Sequence, residues 1–163
     1  MVSASVIESY DFEPFQNIVD IGGGKGIFCK HLLDAYPRLK TTIFELEKVK
    51  RQAEEFLQPY KSRSQFVSGD FFQKIPSDKD VYILKSILHD WPDEKAGLIL
   101  RQCHEAMRED SCLSIIAPAI TKEKLDYAKA MDILMMIVTG GRERTAEEYI
   151  HLIEEKVLCC KNI

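Results

Sequence analysis

Apolar and polar positions alternate in blocks along the chain, and the period of the alternation changes from block to block. Residues 17–21 (NIVDI) form a short apolar run carrying one acid, the pattern of a buried strand. Glycines follow, and residues 26–36 then carry Ile27, Phe28, Leu32 and Ala35 on one predicted helical face, stopped by Pro37. TTIFEL at 41–46 is β-branched and aromatic and predicts a second strand. Residues 47–58 are charged, with Val49, Ala53, Phe56 and Leu57 at helical spacing, and Pro59 is expected to end that helix. SQFVS (64–68) predicts a third strand, and VYILKSIL (81–88) begins as a fourth. Pro92 and Asp93 open a helix expected to run through Met107, with Ala96, Ile99, Leu100, Cys103 and Met107 on one face. CLSIIA (112–117) predicts a fifth strand, and 122–138 and 145–157 two more helices, broken at Gly140-Gly141. A short amphipathic lead with Val6, Ile7 and Tyr10 precedes the first strand.

Strand alternating with helix predicts an α/β fold: a Rossmann-like, doubly wound, mostly parallel sheet with helices on both faces. The chain has 163 residues, about one domain, and shows neither repeat nor low-complexity segment. A single domain over 1–163 is therefore expected. A sheet of this type normally continues beyond a helix such as 145–157, so its last strands are expected to be missing from the pattern.

Composition narrows the function classes. Hydrophobic residues make up 45%, enough for a core. The net charge is −4 with no long basic run, which argues against a nucleic-acid groove. The apolar stretch MDILMMIV (131–138) is interrupted by Asp132 and is far short of the ~20 residues of a membrane span, so neither nucleic acid nor membrane is an expected partner. The five cysteines, at 29, 103, 112, 159 and 160, form no C-x-x-C pair and read as reduced thiols of a cytoplasmic protein. The four histidines, at 31, 89, 104 and 151, are scattered, and no metal site is predicted.

The candidate chemistry begins at Asp20-x-Gly22-x-Gly24-x-Gly26. A dinucleotide fingerprint, G-x-G-x-x-G, fails here because Ile27 stands at its third glycine position. The physical role is similar all the same. Glycines let the backbone turn sharply after a strand and approach a ligand, and the helix amino terminus behind them favours a negative group such as a carboxylate. Glu45, ending the second strand, is suited to accept hydrogen bonds from a ribose diol. Gly69-Asp70-Phe71 follows the third strand, and an acid beside an aromatic suits an adenine. Together these features predict a nucleoside-type cofactor.

With ILKSILHDWPDEKA (83–96) in view, beside VDIGGGKG, IFELEKV, GDFFQKIP and GGRERT, the chain resembles the cofactor domain of small-molecule O-methyltransferases of the caffeate and acetylserotonin type. The resemblance runs from about residue 5 to 156. It implies S-adenosyl-L-methionine as cofactor, a small aromatic hydroxyl as substrate, and a homodimer in the full-length family context. It also implies roles. Asp20, Gly22 and Gly24 match the loop at the methionine part of the cofactor. Glu45 stands where the family usually has Asp, at the ribose, and Asp70 and Phe71 match the pair at the adenine. Lys85 matches a lysine that approaches the cofactor. His89 matches the general base, and Glu143 one of two acids flanking it. Leu134, Met135 and Val138 match positions that line the acceptor pocket.

The chemistry suits these residue types. A sulfonium methyl is already electrophilic, so positioning supplies much of the rate. An imidazole near neutrality is a suitable base for a phenol near 10, and an acid on its far nitrogen fixes the tautomer. Two departures from the family pattern stand out. Pro118 occupies the position of the second acid, and the family's amino-terminal helical dimerisation domain has no counterpart here. Two alternatives therefore stay open: a catalytically degenerate cofactor-binding or interaction module, and, on the glycine loop alone, a nicotinamide-dependent dehydrogenase.

Overall fold

The computed structural model describes residues 2–117 and 141–156. The predicted helix 122–138, with Leu134, Met135 and Val138, lies outside the described residues, as do Pro118, Gly140, Cys159 and Cys160. Internal contacts divide the chain into two compact units, Met1–Lys85 with Ala106–Ile115, and Ser86–Glu105 with Ile116–Ile163.

The first unit is built on strands β1 (Asn17–Ile21), β2 (Lys40–Glu45), β3 (Ser64–Ser68), β4 (Val81–Lys85) and β5 (Cys112–Ile116, whose last residue belongs to the second unit). The sheet order is β3-β2-β1-β4-β5, all parallel, in a Rossmann-like arrangement. β1 pairs with β2 from Asn17 opposite Lys40 to Ile21 opposite Phe44, and on its other side with β4 from Ile18 opposite Val81. The chain thus runs outward through β2 and β3, then returns across β1. Ile18, Val19 and Ile21 on β1, and Val81, Ile83 and Leu84 on β4, are fully buried. Such continuous apolar runs are what a parallel sheet covered on both faces demands. Each buried aliphatic side chain contributes about 1.5–3 kcal/mol.

Asp80 ties the strand starts together. Its Oδ2 accepts from the backbone N–H of Gln16 and of Asn17, both at 2.8 Å, and its Oδ1 accepts from Arg108 Nη2 at 2.8 Å. Its own carbonyl accepts from Cys112 N–H at 2.8 Å, beside β5.

Helices α1 (Val2–Ser9), α2 (Ile27–Ala35) and α3 (Lys50–Phe56) belong to the same unit. The lead before β1 is thus helical. On α2 the predicted face needs correction. Phe28, Cys29, Leu32 and Leu33 are buried, whereas Ile27 is 46% exposed and Ala35 is exposed. Ile27 opens the helix at the loop end, where the chain has not yet turned onto the core. The helix predicted at 47–58 is three pieces, a 3₁₀ turn Glu47–Val49, then α3, then a 3₁₀ turn Gln58–Tyr60. Pro59 sits in the first turn of the last piece, where its missing N–H is no loss, and does not terminate the α-helix.

The second unit holds a 3₁₀ turn Leu88–Asp90, nearly all of helix α4 (Asp93–Ala106), and helix α5 (Ala146–Lys156). Ala96, Ile99, Leu100 and Cys103 are buried as predicted, while Met107 falls beyond the helix and is half-buried. α5 starts with a reciprocal cap. Glu148 N–H donates to Thr145 Oγ1 at 3.2 Å and Thr145 N–H donates to Glu148 Oε2 at 2.8 Å.

Candidate functional site

Four strand ends of the first unit collect the predicted cofactor residues. In a parallel sheet the carboxyl ends of all strands lie on one edge, and ligands of such sheets bind there where the strand order reverses, a point that falls between β1 and β4 in this order. On that edge stand the glycine loop after β1, Glu45 ending β2, Gly69 and Asp70 after β3, and Lys85 ending β4.

The loop takes its shape from three glycines in the left-handed region, Gly22 (φ 68°), Gly24 (φ 53°) and Gly26 (φ 85°). Gly22 N–H donates to Phe44 O at 2.8 Å, which extends the β1–β2 ladder by one step into the loop. A side chain on Gly24 would meet nothing within 4 Å, so open space adjoins the loop there.

Asp20 lies beneath the loop and is 2% exposed. Cys29 Sγ on α2 donates to its Oδ2 at 3.7 Å, and a Cβ at Gly23 would stand 2.8 Å from the same oxygen. Burial pushes the Asp20 carboxyl up to about 7, against the Cys29 hydrogen bond and the Lys85 charge, which lower it. The Glu45 charge adds to the rise. The carboxyl in turn helps burial to push the Cys29 thiol well above its usual range.

Glu45 is half-buried, and its Oε1 accepts from Leu46 N–H at 2.7 Å. Asp70 closes an Asx turn. Its Oδ1 accepts from Phe72 N–H at 2.9 Å and its Oδ2 from Gln73 Nε2 at 3.3 Å. The Phe71 and Phe72 rings meet edge to face, with centroids 4.9 Å apart.

The second unit carries the predicted histidine and its acid. His89 sits in the Leu88–Asp90 turn with its side chain 11% exposed. Its Nδ1 lies 2.9 Å from Glu143 Oε1, and the Glu143 side chain is 4% exposed. We assign the ring proton to Nδ1, because the carboxyl oxygen beside it accepts. The lone pair then falls on Nε2. Asp90 Oδ1 stands 3.5 Å from Nε2, longer than a good hydrogen bond. Ser86, three residues before His89, holds φ 55°, a left-handed conformation rare for a residue with a side chain.

Sequence reasoning missed Arg144, which has no exposed surface. Its Nη1 donates to Leu88 O and its Nη2 to Trp91 O, both at 2.8 Å. Its Nε and Nη2 reach Asp93 Oδ1 at 3.0 and 2.7 Å. Gly141 was read as a helix breaker and as part of GGRERT, with no contact foreseen, yet a Cβ there would fall 1.9 Å from His89 O. Asp80 and the Cys29 contact to Asp20 were also missed. Among the described residues no group of His, Cys, Asp and Glu could hold a metal, and no helix is long and apolar enough to cross a membrane.

Comparison with known proteins bears on what these residues serve. Residues 1–157 match the family model of the O-methyltransferase domain. The chain is 37% identical to a mitomycin biosynthesis 6-O-methyltransferase of Streptomyces lavendulae, over 96% of this chain and 45% of that protein. It is 34% identical to the acetylserotonin O-methyltransferase of Gallus gallus, over 91% of this chain and 44% of that one. Among solved structures it resembles the O-methyltransferase NcsB1 from neocarzinostatin biosynthesis, in complex with S-adenosyl-L-homocysteine and 1,4-dihydroxy-2-naphthoic acid. The TM-score is 0.89 at 30% identity, covering 98% of this chain and 48% of that one. The chain spans about half the length of the relatives it matches.

Proposed function

This chain belongs to the O-methyltransferase domain family, and on that premise we propose that it binds S-adenosyl-L-methionine and that its protein methylates a hydroxyl of a small aromatic substrate. The residues of the first unit suit that cofactor. Open space beside Gly24 admits a ligand against the loop backbone. The buried Asp20, next to that backbone, is suited to the cationic amino group of the methionine part. Glu45 accepts from the ribose diol, and Asp70 with Phe71 takes the adenine by amino hydrogen bond and ring face. Lys85 adds a cation at the end of β4. When bound, the cofactor supplies an electrophilic methyl group on a sulfonium.

His89 is the general base. Its Nε2 takes the proton of the substrate hydroxyl as the oxygen becomes nucleophilic. Glu143, 2.9 Å from Nδ1, holds the ring in the tautomer that leaves Nε2 basic and stabilises the charge the ring gains. That pairing is the observation that carries the reading, because it converts an ordinary half-hidden histidine into an oriented base. The acceptor pocket is assigned to Leu134, Met135 and Val138 on family resemblance alone.

The test combines calorimetry with S-adenosyl-L-homocysteine and a methyl-transfer assay on catechols, hydroxyindoles and hydroxynaphthoates. His89→Ala should lower kcat by about 10²–10⁴-fold, the usual share of a general base, with cofactor affinity changed less than about twofold. Transfer left intact in that variant refutes the base assignment. Cofactor binding without transfer by the wild-type protein on any of these acceptors would favour the non-catalytic module.

A further inference from the structure

Arg144 is the largest side chain with no exposed surface among the described residues, and its shortest hydrogen bonds converge on the segment Leu88–Asp93. Leu88 O and Trp91 O, which receive Nη1 and Nη2 at 2.8 Å, bracket the turn that carries His89. Asp93, at the start of α4, takes Nε and Nη2. A longer bond at 3.4 Å runs from Nη1 to Arg142 O, inside Arg144's own segment. From the same segment, the Gly141 backbone packs so closely on the turn that a Cβ would sit 1.9 Å from His89 O, 2.4 Å from Asp90 C and 2.7 Å from Trp91 N. Between these two points of attachment lies Glu143.

We infer that Arg144 is a positioning residue for His89. By bonding to both ends of the histidine turn, it holds that turn and segment 141–144 in one register, and this keeps Glu143 Oε1 within hydrogen-bond distance of Nδ1. The inference rests on the proposed role of His89 as base.

The alternative is that Arg144 only contributes an ion pair to Asp93. Two observations weigh against it. The Asp93 side chain is 53% exposed, and ion pairs open to water contribute little. Asp93 also has a second cation, Arg142, whose Nη2 donates to Oδ2 at 3.1 Å. What Arg142 does not supply is the pair of bonds to Leu88 O and Trp91 O. These need a planar fork whose donors diverge, and a lysine ammonium is a compact point charge that cannot match it. Replacing Arg144 by Lys therefore keeps the charge and removes the geometry.

The experiment reads the His89 ring directly by ¹⁵N NMR of histidine-labelled protein, and kcat and KM in parallel. In the wild type, His89 should show one fixed tautomer with the proton on Nδ1. In Arg144→Lys, folded by its amide spectrum, the ring nitrogens should move toward the averaged values of a free imidazole. kcat should fall about 10–100-fold, the cost of a small misplacement of a reacting group, while KM for the cofactor stays within about twofold. Ring shifts unchanged in Arg144→Lys would overturn the inference and leave Arg144 a stabilising residue. So would averaged tautomers in the wild type, a measurement that needs no variant to fold. The outcome is separable from that of the base assignment. If His89→Ala keeps full kcat, the base reading fails, yet the ring spectra still decide whether Arg144 orients the imidazole.

Discussion

Replacing Asp20 by Asn changes one atom at the buried acid of β1 beneath the glycine loop, and the consequence is a dependence of stability on pH that runs opposite to that of most carboxylates. Cys29 of α2, Lys85 ending β4 and Glu45 ending β2 are the titratable groups that act on Asp20. Burial dominates and raises the carboxyl from the usual 3.8 to about 7. The folded chain therefore holds this proton where the unfolded chain has lost it. The contribution of Asp20 to stability is fully present below pH 4 and is lost as pH rises through 7. A rise of about three units corresponds to about 4 kcal/mol in full, of which about 2 to 3 kcal/mol is lost between pH 5 and pH 8.

Asn keeps the shape and cannot ionise. The stability difference between Asp20→Asn and the wild type should therefore move by about 2 to 3 kcal/mol in the variant's favour from pH 5 to pH 8. Urea unfolding of cofactor-free protein, followed by circular dichroism at four pH values, measures it. Fluorescence of Trp91, the sole tryptophan, reports the second unit and is unsuited to the purpose. A difference constant to about 0.5 kcal/mol across this range refutes the reasoning, because the carboxyl would then titrate alike in both states.

Two further predictions concern the frame around the site. Gly141→Ala places a Cβ 1.9 Å from His89 O, so the backbone must shift by more than 1 Å at about 3 kcal/mol or more. Thermal unfolding should show the loss, and an unchanged Tm refutes it. Asp80→Ala removes the acceptor of two backbone N–H groups and of Arg108 Nη2, and should cost about 2–4 kcal/mol in urea unfolding. Although burial opposes ionisation of the Asp80 carboxyl, its backbone N–H partners and Arg108 outweigh it and hold the group below its usual range. This contribution is present above the unfolded value and fades as pH falls through the folded one, so wild type and variant should converge in acid.

The strands were legible because buried parallel strands are written as unbroken apolar runs. NIVDI, TTIFE and VYILK needed no tertiary information. The placement of the proposed cofactor residues was legible for a related reason: Asp20, Glu45, Asp70 and Lys85 are polar residues at or just beyond strand ends, and a parallel sheet gathers those ends on one edge. The face of α2 was misread because Ile27 fits the helical period but is the first residue of the helix, exposed at its loop end. Cys29, at a position the period leaves off the face, turned out to be a partner of Asp20. Asp80 was invisible because its partners lie 63 and 64 residues away, across a pairing that exists only once β4 has returned beside β1.

Arg144 was hidden by its residue type, since an arginine ending the charged run Arg142-Glu143-Arg144 reads as solvated surface. Its burial becomes understandable only from the turn it serves. The 3₁₀ turn Leu88–Asp90 spans three residues, too few for a helical ladder to satisfy its carbonyls. Leu88 O already accepts from Trp91 N–H at 3.3 Å, a long bond, and takes a second, shorter one from the guanidinium. The glycine loop meets the same difficulty differently, passing Gly22 N–H to Phe44 O and wrapping a carboxyl that burial keeps protonated at mildly acid pH. In both units the candidate segment leaves the regular hydrogen-bond ladder, and glycines or a buried polar side chain stabilise the departure. Substitutions at Gly141, Gly23 or Arg144 should therefore disrupt the fold more than the exchange of a half-buried acid such as Glu45, whose proposed role is toward a ligand and not in the frame.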